Sequence, residues 1–216
     1  MKTTMITTII LISNGRSGWN ATKHFRPQAD EPLDDAGIQQ AEATGRSIAA
    51  KWQPIAVYSS PLPRAVRTAE IIAAHVNQPV EIHPGLSEID YGEWQTITPE
   101  EAIKRWPDTV EAWYDAPHKV SIPGGETLDD LRRRAITAVN TLASRHVSRE
   151  IVLVGHPIIN RIILLGVLKL GNERFWHIQQ ELCAINVFTL QANDFILVSL
   201  NDTCHLNDFR AARKDI

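Results

Sequence analysis

Cysteine is scarce in this chain, and its two copies, Cys183 and Cys204, are far apart. They form no CxxC pair and no Cys/His cluster accompanies them. A disulfide scaffold and a thiolate metal site are therefore excluded, and inert thiols in a reducing compartment are expected. No apolar run approaches the roughly 18 residues of a membrane span. The stretch MKTTMITTIILIS has a short apolar run, threonines that favour a strand, and no small-x-small cleavage pattern, so it reads as a strand rather than a signal peptide. Strong charge of one sign is also missing. The net charge of −3 gives no basic surface for nucleic acid or membrane. Repeats and low-complexity tracts are absent. These absences point to a cytoplasmic protein with no nucleic-acid or membrane partner.

What is present is an ordinary globular composition, 44% hydrophobic and 22% charged over 216 residues. That length buries a sizeable core without disulfides or metals. Two short runs are almost wholly apolar, residues 7–12 (TIILI after Thr7) and 151–154 (IVLV). Such runs suit central parallel strands covered on both faces. Further strands are expected at 55–59, 80–83, 184–190 and 195–200. Helices are expected at about 36–51, capped by Asp34 or Asp35, then 64–75, 99–106, 127–145 and 159–168. Pro107 is expected to stop the helix at 99–106, and residues 113–126 read as irregular around the turn Pro123-Gly124-Gly125. Residues 86–94 (LSEIDYGEW) read as a loop and the segment from Asn201 as a polar tail over the body. Strand and helix alternate throughout. The fold class is therefore α/β, a three-layer α/β/α sandwich with a mostly parallel sheet, as a single domain over residues 1–216.

In such sheets ligands bind beyond the carboxyl ends of the strands. Three loops follow from that rule as candidates: Ser13-Asn14-Gly15 after the first strand, Gly155-His156-Pro157 after the second central strand, and the turn after Ser59, with Arg64 at the start of the helix that follows and Glu88 in a nearby loop. Each alone has a plain alternative: Arg64 a surface arginine, His156 a structural histidine, Glu88 a solvated acid.

Taken in order, these stretches resemble the histidine phosphatase (phosphoglycerate-mutase-like) superfamily. TTIILISNGRSGWN matches the family's first signature, SSPLPRAVRTAEII its second, LSEIDYGEW the loop that supplies an acid, and IVLVGHPIINRIIL the segment that supplies a second histidine. The similarity spans nearly the whole chain. Within the superfamily the chain looks most like the metal-independent phosphoserine phosphatases, through Pro117-His118-Lys119-Val120, Gly124-Gly125-Glu126-Thr127-Leu128 and Cys204-His205-Leu206. The resemblance implies no metal and no cofactor, a small phosphorylated metabolite or phosphate as ligand, and a homodimer or a heterodimer with a paralogue. It implies that Arg64, Gly15, Asn20 and His205 bind substrate, that Glu88 is the acid, and that His156 holds the phosphoryl group.

The resemblance breaks at its centre. The family attacks phosphorus with a histidine, preceded by an arginine. Here Asn14 stands at the nucleophile position and Ser13 replaces the arginine. An amide nitrogen, its lone pair delocalised, is a very poor nucleophile, though it can donate a hydrogen bond to a phosphate. Arg16, standing where the family has an acid, either swings into the pocket or faces solvent. His24 replaces another arginine, and Tyr91 a histidine. Whether the chain is an enzyme stays open at this point. Three readings remain: a phosphate-binding pseudoenzyme with absent or very weak phosphohistidine turnover, an active phosphomonoesterase using His156 or Glu88, and a structural interaction module.

Overall fold

A computed structural model describes residues 5–18, 25, 31–192 and 194–207. Its strands are β1 (Ile6–Ser13), β2 (Ala56–Ser59), β3 (Val80–Ile82), β4 (Glu150–Gly155), β5 (Ile185–Gln191) and β6 (Asp194–Asp202). They form one sheet in the order β3-β2-β4-β1-β5-β6. The first four are parallel, and β5 and β6 add on antiparallel. The helices are α1 (Asp35–Lys51), α2 (Pro63–Val76), α3 (Pro99–Arg105), α4 (Pro107–Asp115), α5 (Leu128–Arg145) and α6 (Pro157–Val167).

The period-2 alternation of the strands divides the core into two layers. Ile10, Ile12, Val57, Val152 and Val154 pack with Ile48 of α1 and with Ala65, Ala69 and Ile72 of α2. Ile9, Leu11, Tyr58, Ile151 and Leu153 pack on the other face with Leu131, Ala135 and Val139 of α5 and with Ile159, Ile162 and Ile163 of α6. This is why β1 and β4 read as continuous apolar runs: both of their faces are covered. The α/β sandwich expected from the sequence is the fold observed.

Caps fix where the helices begin. Asp34 Oδ1 accepts from Gly37 N (2.8 Å) to start α1, and Thr127 forms a capping box with Asp130 to start α5. One expectation needs correction. The helix at 99–106 does stop before Pro107, but residues 113–126 are not irregular throughout: Pro107 opens α4, which takes in Trp113 and runs to Asp115. Proline lacks an N–H but fits the first helical turn, where that N–H would have no partner. Trp113 is then buried against Trp94, Phe175 and Trp176, so tertiary packing holds a nine-residue helix that local signals leave undefined. The loop at residues 86–94 contains one-turn 3-10 segments, Pro84–Leu86 and Gly92–Trp94. The beginning of the tail, through Leu206, docks on α1 beside Ile71 and Cys183.

Candidate active site at the strand carboxyl ends

The parallel register brings the predicted residues together. Ser13 lies opposite Gly155 in the β1–β4 pair, and Ser59 lies opposite Val154 in the β2–β4 pair. The residues that follow, Asn14, His156 and Ser60, therefore emerge side by side. All three are fully buried.

They form a hydrogen-bonded chain. Asn14 Nδ2 donates to the carbonyl of Gly15 (2.8 Å), which can only accept. Its Oδ1 therefore faces His156 Nδ1, at 2.9 Å. The imidazole must carry its hydrogen on Nδ1, and in the neutral ring Nε2 accepts from Ser60 Oγ–H at 2.8 Å. Ser60 Oγ in turn accepts from Leu62 N (3.2 Å). The amide at position 14 is thus held by both of its ends.

Gly15 seats this corner. Its N–H donates to Thr68 Oγ1 of α2 (3.0 Å), and a Cβ there would stand 2.7 Å from the carbonyl oxygen of Gly37 in α1. Only glycine allows β1 to approach α1 so closely.

Glu88 is buried against the first turn of α6. Its Oε1 accepts from Ile89 N (3.1 Å) and Ile159 N (3.0 Å), and its Oε2 from Ile158 N (3.3 Å). It thereby occupies N–H groups that the helix itself leaves unsatisfied. Burial raises its pKa, while the Arg64 guanidinium and the three N–H donors pull the other way. Burial dominates, so Glu88 keeps its proton to higher pH than a solvated glutamate and is poised as an acid. Arg64, in the first turn of α2 behind Pro63, is buried and acts on Glu88 electrostatically.

Arg134 of α5, which sequence reasoning passed over, positions the loop of Glu88. It donates to the carbonyls of Glu88 (2.9 Å), Ser87 (2.8 Å) and Gly85 (3.3 Å), and it forks onto both oxygens of Glu126 (2.7 and 2.8 Å). Nothing in its local sequence signals this, because its partners lie 46 to 49 residues away along the chain for the loop carbonyls. Ser60 opens the turn after Ser59 that the sequence reading set beside the other two loops, though it was not named there as a site residue.

Two further expected ligands have partners of their own in the structure. Arg16 is exposed, and its Nε pairs with Asp34 at 2.7 Å, so of the two orientations left open by the sequence the structure shows the outward one. His205 lies behind the β1 corner: its Nε2 meets Thr44 Oγ1 (2.9 Å) and the Cys183 carbonyl (3.2 Å), while Cys183 N donates to the carbonyl of Ser13 (3.1 Å). Burial lowers the His205 pKa. Ser13 Oγ is buried and makes no hydrogen bond among the described residues. Asn20 and His24 lie outside the described residues.

The model of the histidine phosphatase superfamily (branch 1) matches residues 9–203. The chain belongs to that superfamily. Phosphoserine phosphatase 1 of Hydrogenobacter thermophilus is 28% identical over 93% of this chain and 95% of its own length. Phosphoglycerate mutase-like protein 4 of Arabidopsis thaliana is 35% identical over 93% of this chain and 87% of its own. Among solved structures, YhfR of Bacillus stearothermophilus superposes with a TM-score of 0.89 at 25% identity, covering 93% of this chain and all of the other. A histidine-to-alanine mutant of phosphoserine phosphatase from Entamoeba histolytica, in complex with phosphoserine, superposes with a TM-score of 0.83 at 26% identity, over 93% and 99% of the two chains. For a histidine phosphatase, this corner offers cationic and acidic groups but carries an amide at position 14.

The described residues contain no group of acidic, histidine or cysteine side chains placed to hold a metal ion. None of their helices is long and apolar enough to cross a membrane.

Proposed function

We propose that this protein binds a small phosphate monoester, with phosphoserine the leading example, at Arg64 and the β1 corner beside His156, and does not turn it over through phosphohistidine. The observation that carries this reading is the state of Asn14: buried, held at both ends, and without a nucleophilic atom. Loss of a covalent nucleophile costs several orders of magnitude in rate. Binding is a separate matter. The complex of the Entamoeba histolytica mutant supports it, since that related fold holds phosphoserine with a histidine removed. A protein that binds without turnover would serve as a metabolite sensor or as the non-catalytic partner of an active paralogue.

The test compares the wild type with Ser13→Arg/Asn14→His. The wild type is expected to bind phosphoserine by calorimetry and to release no phosphate above background; the double variant is expected to gain turnover. Phosphate release by the purified wild type at ordinary enzyme rates would overturn the proposal.

An active phosphomonoesterase is the second reading, favoured by the phosphatase names of the relatives. Both of its routes meet an obstacle. Each ring nitrogen of His156 is engaged, and both oxygens of Glu88 already accept from backbone N–H groups. Under this reading His156→Ala or Glu88→Gln abolishes the turnover of the wild type.

A further inference from the structure

Asn160 is an amide in α6, one turn after His156, whose carbonyl accepts from its backbone N–H at 2.9 Å. The residue is fully buried, and neither Nδ2 nor Oδ1 makes a hydrogen bond among the described residues. Elsewhere in this core a buried amide finds partners at both ends. Asn186 Nδ2 donates to the Leu11 carbonyl (3.1 Å) and to Gln180 Oε1 (2.9 Å), and its Oδ1 accepts from Gln180 Nε2 (2.9 Å) and Asn201 N (2.8 Å). A buried amide with both ends open is the exception, because each unmade bond costs free energy.

The register of the sheet shows what this amide faces. Ile9 and Leu11 of β1 and Ile151 and Leu153 of β4 point into the layer of α5 and α6. By the period of two, Ser13 and Gly155 point the same way, and they are the last pair of the two strands. A Cβ on Gly155 would stand 2.6 Å from Asn160 Oδ1, so the amide lies over Gly155. Ser13 is on the adjacent strand, about 5 Å away. Its Oγ is likewise buried and without a hydrogen bond among the described residues. A hydroxyl and an amide thus share a recess at the carboxyl ends of β1 and β4, immediately before Asn14 and His156. The hydroxyl can rotate to donate or accept. The amide offers an NH2 group and a carbonyl oxygen whichever way it is turned, and that oxygen can only accept.

We propose that Ser13 and Asn160 form the floor of the anion site, and that Asn160 selects oxyanions that carry a hydrogen of their own: hydrogen phosphate, or a singly protonated phosphate monoester. This inference rests on the phosphate-binding reading above and adds the protonation state of the ligand. The Ser13 hydroxyl and the Asn160 NH2 group donate to bare oxygens, and the P–O–H group donates to the Asn160 carbonyl. A fully ionised oxyanion has acceptors only, so it sets a lone pair against that carbonyl in a buried recess. The charge at position 13 works in the same direction. A neutral serine there supplies no cation to hold a bound phosphate in its fully ionised form.

The test is calorimetric titration of the whole protein with inorganic phosphate and sulfate at pH 8, where both are tetrahedral dianions and only phosphate keeps a proton. The wild type is expected to prefer phosphate by about 5- to 100-fold, the range of one unmade hydrogen bond at a buried acceptor. Asn160→Leu, close in size and without a polar atom, is expected to abolish that preference. In the ligand-free protein it is expected to keep or raise the Tm, since it removes two unpartnered groups. Ser13→Ala leaves the Asn160 carbonyl in place; it is expected to weaken both anions and keep the preference, and it serves where the Leu variant does not fold. Equal affinity of the wild type for the two anions, a preference for sulfate, or a preference for phosphate that survives Asn160→Leu overturns the role of Asn160 while the phosphate-binding reading stands. If neither anion binds, the inference falls, and if phosphoserine does not bind either, the phosphate-binding reading falls with it.

Discussion

Asn14→Ala tests the buried chain most directly. The substitution removes the bond to the Gly15 carbonyl and the bond from His156 Nδ1. Both partners lie in buried residues. Each buried polar group left without a partner costs about 1–3 kcal/mol, so the variant is expected to lose about 2–5 kcal/mol. For a chain of this size that corresponds to a fall in Tm of about 5–15 °C. Urea denaturation followed by tryptophan fluorescence measures it, with the slope unchanged if the unfolded state is unaffected. Ser60→Ala is the second arm. It leaves His156 Nε2 and Leu62 N without Ser60 Oγ. Because both variants act on one imidazole, their effects are expected to deviate from additivity by more than about 0.5 kcal/mol in a double-mutant cycle. A loss below about 1 kcal/mol for Asn14→Ala, or strict additivity, would refute the picture of a single satisfied network.

Other outcomes follow from the same geometry. Arg134→Met is expected to lower stability by about 1–3 kcal/mol in urea melts, because it leaves the half-buried Glu126 carboxylate and the carbonyls of the Glu88 loop without their donor. Arg16→Ala is expected to change stability by less than about 1 kcal/mol and phosphate affinity not at all by calorimetry, since its pair with Asp34 is on the surface. Glu88 has a folded pKa above its unfolded value, so its contribution to stability is complete below pH 4.5 and is lost as pH rises through the folded pKa. The fall of Tm over that window is expected to be shallower in Glu88→Gln. Iodoacetamide at pH 8 is expected to label Cys204, which is exposed, and to spare Cys183, which is buried with its thiol pushed up to about 12; mass spectrometry of the peptides reads the result.

The exposure of Cys204 narrows the sequence expectation of two inert thiols: burial supports it for Cys183, and Cys204 is open to solvent.

Local chemistry was enough to read much of this molecule. The runs of β1 and β4 announce strands covered on both faces because apolar, β-branched residues at every position leave no solvent face. Asp34 and Thr127 mark helix starts because their side-chain oxygens meet N–H groups that a helix cannot satisfy itself. The replacement at Ser13-Asn14 is likewise legible, since nucleophilicity belongs to the side chain and not to its setting. Three features needed the tertiary structure. Helix α4 depends on the burial of Trp113 among aromatic rings from distant segments. The outward turn of Arg16 depends on where the cap residue Asp34 comes to lie. The donors of Arg134 depend on carbonyls brought in from other elements. The strand pattern and the missing nucleophile are properties of short stretches. Which charges face the crevice is decided by contacts between residues that only the fold makes neighbours.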